Sequence, residues 1–100
     1  MLIVAGTIVI DPAKRPDAEA AFEKMRAATL KEPGCIAYQA YVDRNDPGVI
    51  FMFEKWESAE ALNAHFVTPH MADFGGAMAT FGVRQTDVRR FDVGSETKLM

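Results

Sequence analysis

From residue 2 to residue 10 the chain reads Leu-Ile-Val-Ala-Gly-Thr-Ile-Val-Ile, almost unbroken apolar and rich in β-branched residues, before Asp11-Pro12. Such a run predicts a strand, and a proline, which donates no N–H, ends it. From about Pro16 to Lys31 the spacing changes. Ala18, Ala21, Phe22, Met25 and Thr29 recur at helical intervals, with Glu19, Glu23, Lys24 and Arg26 between them, which predicts an amphipathic helix. Glu32-Pro33-Gly34 stops it. Cys35 to Asp43 reads as a second strand, Arg44-Asn45-Asp46-Pro47-Gly48 as a turn, and Val49 to about Trp56 as a third strand paired to the second. Ser58 then caps a helix starting near Ala59, and Glu60 sits in its first turn, at the positive end of the helix dipole. Ala61, Leu62, His65 and Phe66 share a face of that helix. Thr68-Pro69 interrupts it, and helical spacing resumes from His70 to about Phe81, with Gly75-Gly76 weakening the middle. Val83 to Phe91 alternates as a fourth strand, and a polar tail occupies 93–100.

The order strand, helix, strand, strand, helix, strand predicts one α+β domain over residues 1–100, with a core of about 2–92. Its arrangement is the ferredoxin-like βαββαβ, a four-stranded antiparallel sheet with helices on one face. Strands one to three nevertheless carry apolar residues on both faces. Ile3, Ala5 and Val9 oppose Leu2, Val4, Ile8 and Ile10, and Phe51 and Phe53 oppose Ile50, Met52 and Trp56. Leaving such side chains wet forfeits about 1.5–3 kcal/mol for each that could be fully buried, so a second copy of the chain is expected on the second face.

Charge and composition narrow the partners. The net charge of −3, from 14 acidic and 11 basic side chains, with lysines and arginines scattered, argues against nucleic acid. No apolar run approaches the roughly 20 residues of a membrane span, and Met1-Leu2-Ile3-Val4 lacks the basic start of a signal peptide, so the expectation is a cytoplasmic protein with no membrane partner. The single cysteine, Cys35, has no partner for an internal disulfide and no Cys-x-x-Cys spacing. It reads as a buried small hydrophobe.

Chemistry concentrates around the two histidines. Imidazole, with an ordinary pKa near 6.5, suits a general base at neutral pH, and His65 lies on the apolar side of its helix beside Phe66 and one turn from Leu62. The alternative is a hydrogen-bonded core histidine. His70 could cap its helix, face water or reach a pocket mouth. Five helical residues separate the two by about 140°, and Pro69 disrupts even that geometry, so no metal site is expected; His70 with Asp73 supplies only two ligands. Tyr38 and Trp56 could stack on a planar substrate and orient it through O–H and N–H, Asn63 could hold a carbonyl or hydroxyl, and Phe66 could line the pocket. Phe51, Phe53, Phe74 and Phe81, with Met52, Met71 and Met78, read mainly as core. Glu54 shares a strand face with Met52 and Trp56, and if buried it should pair with Arg84, Arg89 or Arg90. The Arg89-Arg90 pair itself reads as a solvated or interface feature.

Three anchors, Glu32-Pro33-Gly34-Cys35, Phe53-Glu54-Lys55-Trp56-Glu57-Ser58 and His65 through His70, taken with the order of elements over residues 2–91, resemble the antibiotic biosynthesis monooxygenase (ABM)-like family of the dimeric α+β barrel superfamily. The resemblance implies a homodimer with facing sheets, a small pocket in each subunit between sheet and helices, and oxygenase chemistry without flavin, haem or metal, the substrate supplying the electrons to molecular oxygen. Within it, His65 would be the base, and Asn63, Tyr38, Trp56, Phe66 and His70 would contact a small aromatic quinol-like or polyketide-like substrate. Other branches of the family would make the chain an isomerase of a phosphorylated signalling-sugar-like molecule or a non-catalytic binding or stress-response dimer. The haem-degrading branch is less similar: Thr7, His65 and the Gly75-Gly76 pair stand where those relatives carry asparagine, tryptophan and an iron-binding histidine. No cofactor is expected.

Overall fold

In the computed structural model, which describes residues 1–100, four antiparallel strands lie in the order β2-β3-β1-β4. They are β1 (Leu2–Val9), β2 (Cys35–Val42), β3 (Val49–Trp56) and β4 (Gln85–Asp92); the helices are α1 (Arg15–Thr29), α2 (Ala59–Phe66) and α3 (Pro69–Met78). This is the ferredoxin-like α+β arrangement expected from the sequence. The differences lie at the ends. Pro12–Lys14 forms a separate 3-10 turn that Asp11 caps through its Oδ1 to the Ala13 N–H at 3.0 Å, and the last helix stops at Met78 so that Phe81 can turn back into the core.

Strand register decides which side chains meet. Even-numbered residues of β1 and β3 face the helices, and the pairing aligns Tyr38, Glu54, Val4 and Arg90 in one row across all four strands, with Ala40, Met52, Gly6 and Val88 in the next. Gly6 is required there, because a Cβ would lie 1.9 Å from the Asp87 carbonyl oxygen and stop β4 from closing on β1. Ile8, Ile10, Phe22, Met25, Ile50, Met52, Phe74 and Phe81 form the main core, and Leu2, Trp56 and Leu62 a smaller one at the far end of the sheet. Between the two stand buried polar groups, Glu54 and His65.

The opposite face of the sheet has no cover within the chain. Phe51, Tyr41 and Phe91 are exposed on it, and Ile3, Ala5, Val9 and Phe53 are only half-buried. β4 is exposed along its whole length; the helices pack chiefly on β2 and β3. The tail beyond Val93 is exposed and is tied to β3 by one ion pair, Lys55 Nζ to Glu96 Oε2 at 2.7 Å. No helix is long and apolar enough to cross a membrane.

Candidate active site

Two short structural devices bring the polar residues together. The first is the turn after α1. The Glu32 N–H donates to the Thr29 carbonyl at 3.0 Å, and Gly34, with a φ of 84°, turns the chain into β2. A Cβ on Gly34 would lie 2.6 Å from that of Ala61, so only glycine lets the turn pack against α2 and carry Glu32 toward it. The second is Thr68, which ends α2 and starts α3: its hydroxyl donates to the His65 carbonyl at 2.9 Å and accepts from the Met71 N–H at 3.2 Å. Pro69 follows at the first turn of α3, where a missing N–H has no consequence.

The outcome is a carboxylate between two imidazoles. Glu32 Oε2 lies 2.7 Å from His65 Nδ1 and 2.7 Å from His70 Nε2. A carboxylate only accepts hydrogen bonds, so His65 must carry its proton on Nδ1 and His70 on Nε2. His65 is 2% exposed, its Nε2 has no partner within the protein, and its ring packs on Trp56 and Tyr38 with centroids at 4.9 and 6.0 Å. Helical spacing had kept His65 and His70 apart; the break at Thr68 instead puts their ring centroids 6.1 Å apart. Two nitrogens and one oxygen within 4.8 Å of one another are the donor types of a zinc site, although here the single oxygen already satisfies both imidazole N–H groups.

A cavity of about 350 Å³ opens beside His65, between the helix face of the sheet, α2 and α3. Its walls are mostly apolar, with Phe22, Met52, Met71, Phe74, Met78 and Val88 prominent, and its polar atoms come from Tyr38, Glu54, His65 and the arginines of β4. That volume is enough for a one- or two-ring compound. Tyr38 is buried opposite Glu54, and burial first, then the charges of Glu54, Cys35 and Glu32, raise its hydroxyl pKa, so it keeps its proton. Burial pushes the Cys35 thiol up to about 11, with Glu32 and Glu54 adding to the effect; the residue is half-buried, less enclosed than a core hydrophobe.

Several expected contacts fall elsewhere. Asn63 is exposed and outside the cavity, because one residue beyond Leu62 is a 100° turn away from the buried side of α2. Trp56 is fully buried and does not reach the cavity; it packs on His65 and donates its indole N–H to Glu54 Oε1 at 3.0 Å. His70 points to Glu32 and to a smaller cleft between α1 and α3. Phe66 is 53% exposed and reaches the cavity only at its rim. Glu54 has no arginine partner: Arg89 pairs with Asp87 at 2.8 Å, and Arg90, two strands away, pairs with Asp92 at 2.9 Å. Glu32 was missed, since in sequence it reads as the end of a helix; the motif containing it was visible, its side-chain target was not.

The family model described as "Antibiotic biosynthesis monooxygenase" matches residues 1–77. The chain belongs to the antibiotic biosynthesis monooxygenase family. Among curated relatives, the protein sll1783 of Synechocystis is 34% identical over 73 residues, covering 73% of this chain and 50% of that one. The Escherichia coli protein named "Probable quinol monooxygenase YgiN" is 38% identical over 65 residues, covering 57% of this chain and 62% of its own length. The match thus spans about half to three-fifths of these relatives. Among solved structures, one from Deinococcus radiodurans superposes with a TM-score of 0.91 at 22% identity, over 100% of this chain and 99% of that one. A crystal structure of an antibiotic biosynthesis monooxygenase gives 0.85 at 26% identity, over 95% and 100%. The ABM fold therefore extends past the matched residues to include β4.

Proposed function

We propose that this ABM-family protein is a cofactor-independent monooxygenase acting on a small aromatic hydroquinone-like compound, with His65 as the base. The carrying observation is the 2.7 Å contact from His65 Nδ1 to Glu32, which leaves Nε2 as an unpartnered acceptor on a residue that lines an apolar cavity. In the reaction His65 Nε2 takes a proton from a ring hydroxyl, and the resulting electron-rich anion reduces molecular oxygen. Hydroquinone and O₂ then give hydroxyquinone and water, the substrate supplying the electrons. Tyr38 lies on the same wall as a hydrogen-bond donor, and the apolar lining excludes water. The quinol monooxygenase named among the relatives supports the reaction class. The mostly apolar lining favours this reading over an isomerase of a phosphorylated sugar, with Arg89 and Arg90 of β4 the only arginines or lysines bordering the cavity.

The protein works as a homodimer in this reading, supported by the uncovered apolar sheet face with Phe51, Tyr41 and Phe91 exposed. The test is oxygen uptake and product formation with a panel of hydroquinones. Wild type should turn one over, and His65→Ala should lose about 10²–10⁴-fold in rate with its fold intact. A His65→Ala variant that keeps most of the rate removes His65 from the mechanism.

A further inference from the structure

Glu54 is the one buried carboxyl group that the mechanism above does not use. It is 8% exposed, lies in the middle of β3 and lines the cavity together with His65. Its Oε1 accepts the Trp56 indole N–H at 3.0 Å, while its other oxygen makes no hydrogen bond within the protein. The groups around it are Tyr38 and Cys35 from β2, Trp56 beside it, His65 from α2, Glu32 from the turn after α1, and Arg90 beyond Val4 on β4. None is a cation in ion-pair contact. A lone carboxylate buried without a cation is costly, and taking up a proton relieves that cost. Burial is the main influence on this carboxyl and raises its pKa; the Trp56 hydrogen bond and His65 oppose that, and Glu32 reinforces it. A neutral carboxyl whose second oxygen carries the proton is a hydrogen-bond donor aimed into the cavity.

We propose that Glu54 is a substrate-contacting residue that donates a hydrogen bond to a second oxygen of the ligand, so that the cavity selects aromatic compounds bearing both a hydroxyl and a carbonyl-type acceptor. The hydroxyl goes to His65 Nε2 and the carbonyl to Glu54, with the ring against Met52 and Phe74. Trp56 couples the two, because it packs on the His65 ring at 4.9 Å and bonds Glu54 at 3.0 Å. The proposal rests on the reading of His65 as the group that meets a ring hydroxyl. It adds a specificity element that fixes the far end of the ligand, and the donor is held in a site of low dielectric where an unmet partner is penalised.

Binding tests it without turnover. Trp56 is the only tryptophan in the chain, and its contact with both groups makes its fluorescence a reporter of the site. Affinities are measured for 3- and 4-hydroxyacetophenone against 3- and 4-ethylphenol, which match them in size and hydroxyl but lack the carbonyl, in wild type, Glu54→Gln and Glu54→Leu. At least one hydroxy-ketone should bind wild type about tenfold or more tightly than its ethylphenol partner. Glu54→Gln, whose amide also donates, should keep that preference within about threefold, and Glu54→Leu should abolish it, read as the ratio of the paired affinities within each variant. No preference in wild type, a preference that survives in Glu54→Leu, or one lost equally in Glu54→Gln overturns the proposal. Should Glu54→Leu not fold, infrared difference spectra decide: a protonated-carboxyl C=O band present in wild type, absent in Glu54→Gln and shifted by the hydroxy-ketone supports it, and no such band overturns it. Because no oxygen is consumed, selective binding without turnover would contradict the oxygenase reading and leave this one standing. Turnover without selectivity would do the reverse.

Discussion

Glu32 and His65 are 33 residues apart in the chain and 2.7 Å apart in space, and their contact orients the only histidine that lines the cavity. A hydrogen bond from an imidazole N–H to a carboxylate fixes both the ring plane and the tautomer, as in triads where the acid does not itself transfer a proton. Glu32 also holds His70, so one oxygen ties the end of α1 to both α2 and α3.

Removing that carboxylate should therefore affect stability and rate together. Glu32→Ala leaves two imidazole N–H groups unpaired, one fully buried, and each such loss costs about 1–3 kcal/mol when buried. Denaturant unfolding should show a loss of that order, and the rate at matched folded concentration should fall as well. A variant as stable as wild type would show that solvent replaces the contact.

Glu54 gives a pH signature in stability. Its pKa in the folded protein is raised, chiefly by burial, so the stability it contributes is fully present below the ordinary glutamate pKa of about 4.3 and is lost as pH rises through the raised value. Glu54→Gln does not titrate and should gain on wild type over that window. Thermal melts of the two at stepped pH check this. A pH-independent difference in melting temperature would mean the group is not shifted.

The Cys35 thiol, pushed up to about 11 by burial and by Glu32 and Glu54, should react slowly with thiol reagents at neutral pH and faster only as the pH nears that value. Labelling rates measured in the folded protein across pH test it. Cys35→Ser should move stability more than turnover, since a hydroxyl replaces a packed sulfur while His65 is untouched.

Much of this architecture is legible in the sequence, for reasons that particular residues make plain. The β-branched run from Leu2 forms a strand, β1, and Ser58 caps α2 as its position implies. His65 on the buried side of α2 followed from its spacing with Leu62. Pairings across long sequence separations were not legible, because periodicity assigns a face and not a neighbour. Register put Arg90 two strands from Glu54 and gave Glu54 the indole of Trp56 instead. Likewise, the change of direction at Thr68 that brings His70 to Glu32 depends on one hydroxyl bridging two helices.

The uncovered sheet face predicts self-association. Phe51 is exposed near its centre, paired with Thr7 and Tyr41. Sedimentation at micromolar concentration should give a dimer, with an interface in the standard class of about 1,200–2,000 Å² or larger. Phe51→Glu should give monomers by placing a charge in a desolvated interface. A wild type sedimenting only at 11.0 kDa would contradict this.

The most direct test of the central claim is the tautomer of His65, read by long-range ¹H–¹⁵N correlation on protein labelled at histidine, with His65→Ala providing the assignment. If Glu32 orients His65 as a base, the neutral ring carries its proton on Nδ1, leaves Nε2 bare toward the cavity, and loses that single state in Glu32→Ala. A ring with its proton on Nε2 would contradict the account, because its basic nitrogen would then face Glu32 and no ring hydroxyl in the cavity could give it a proton.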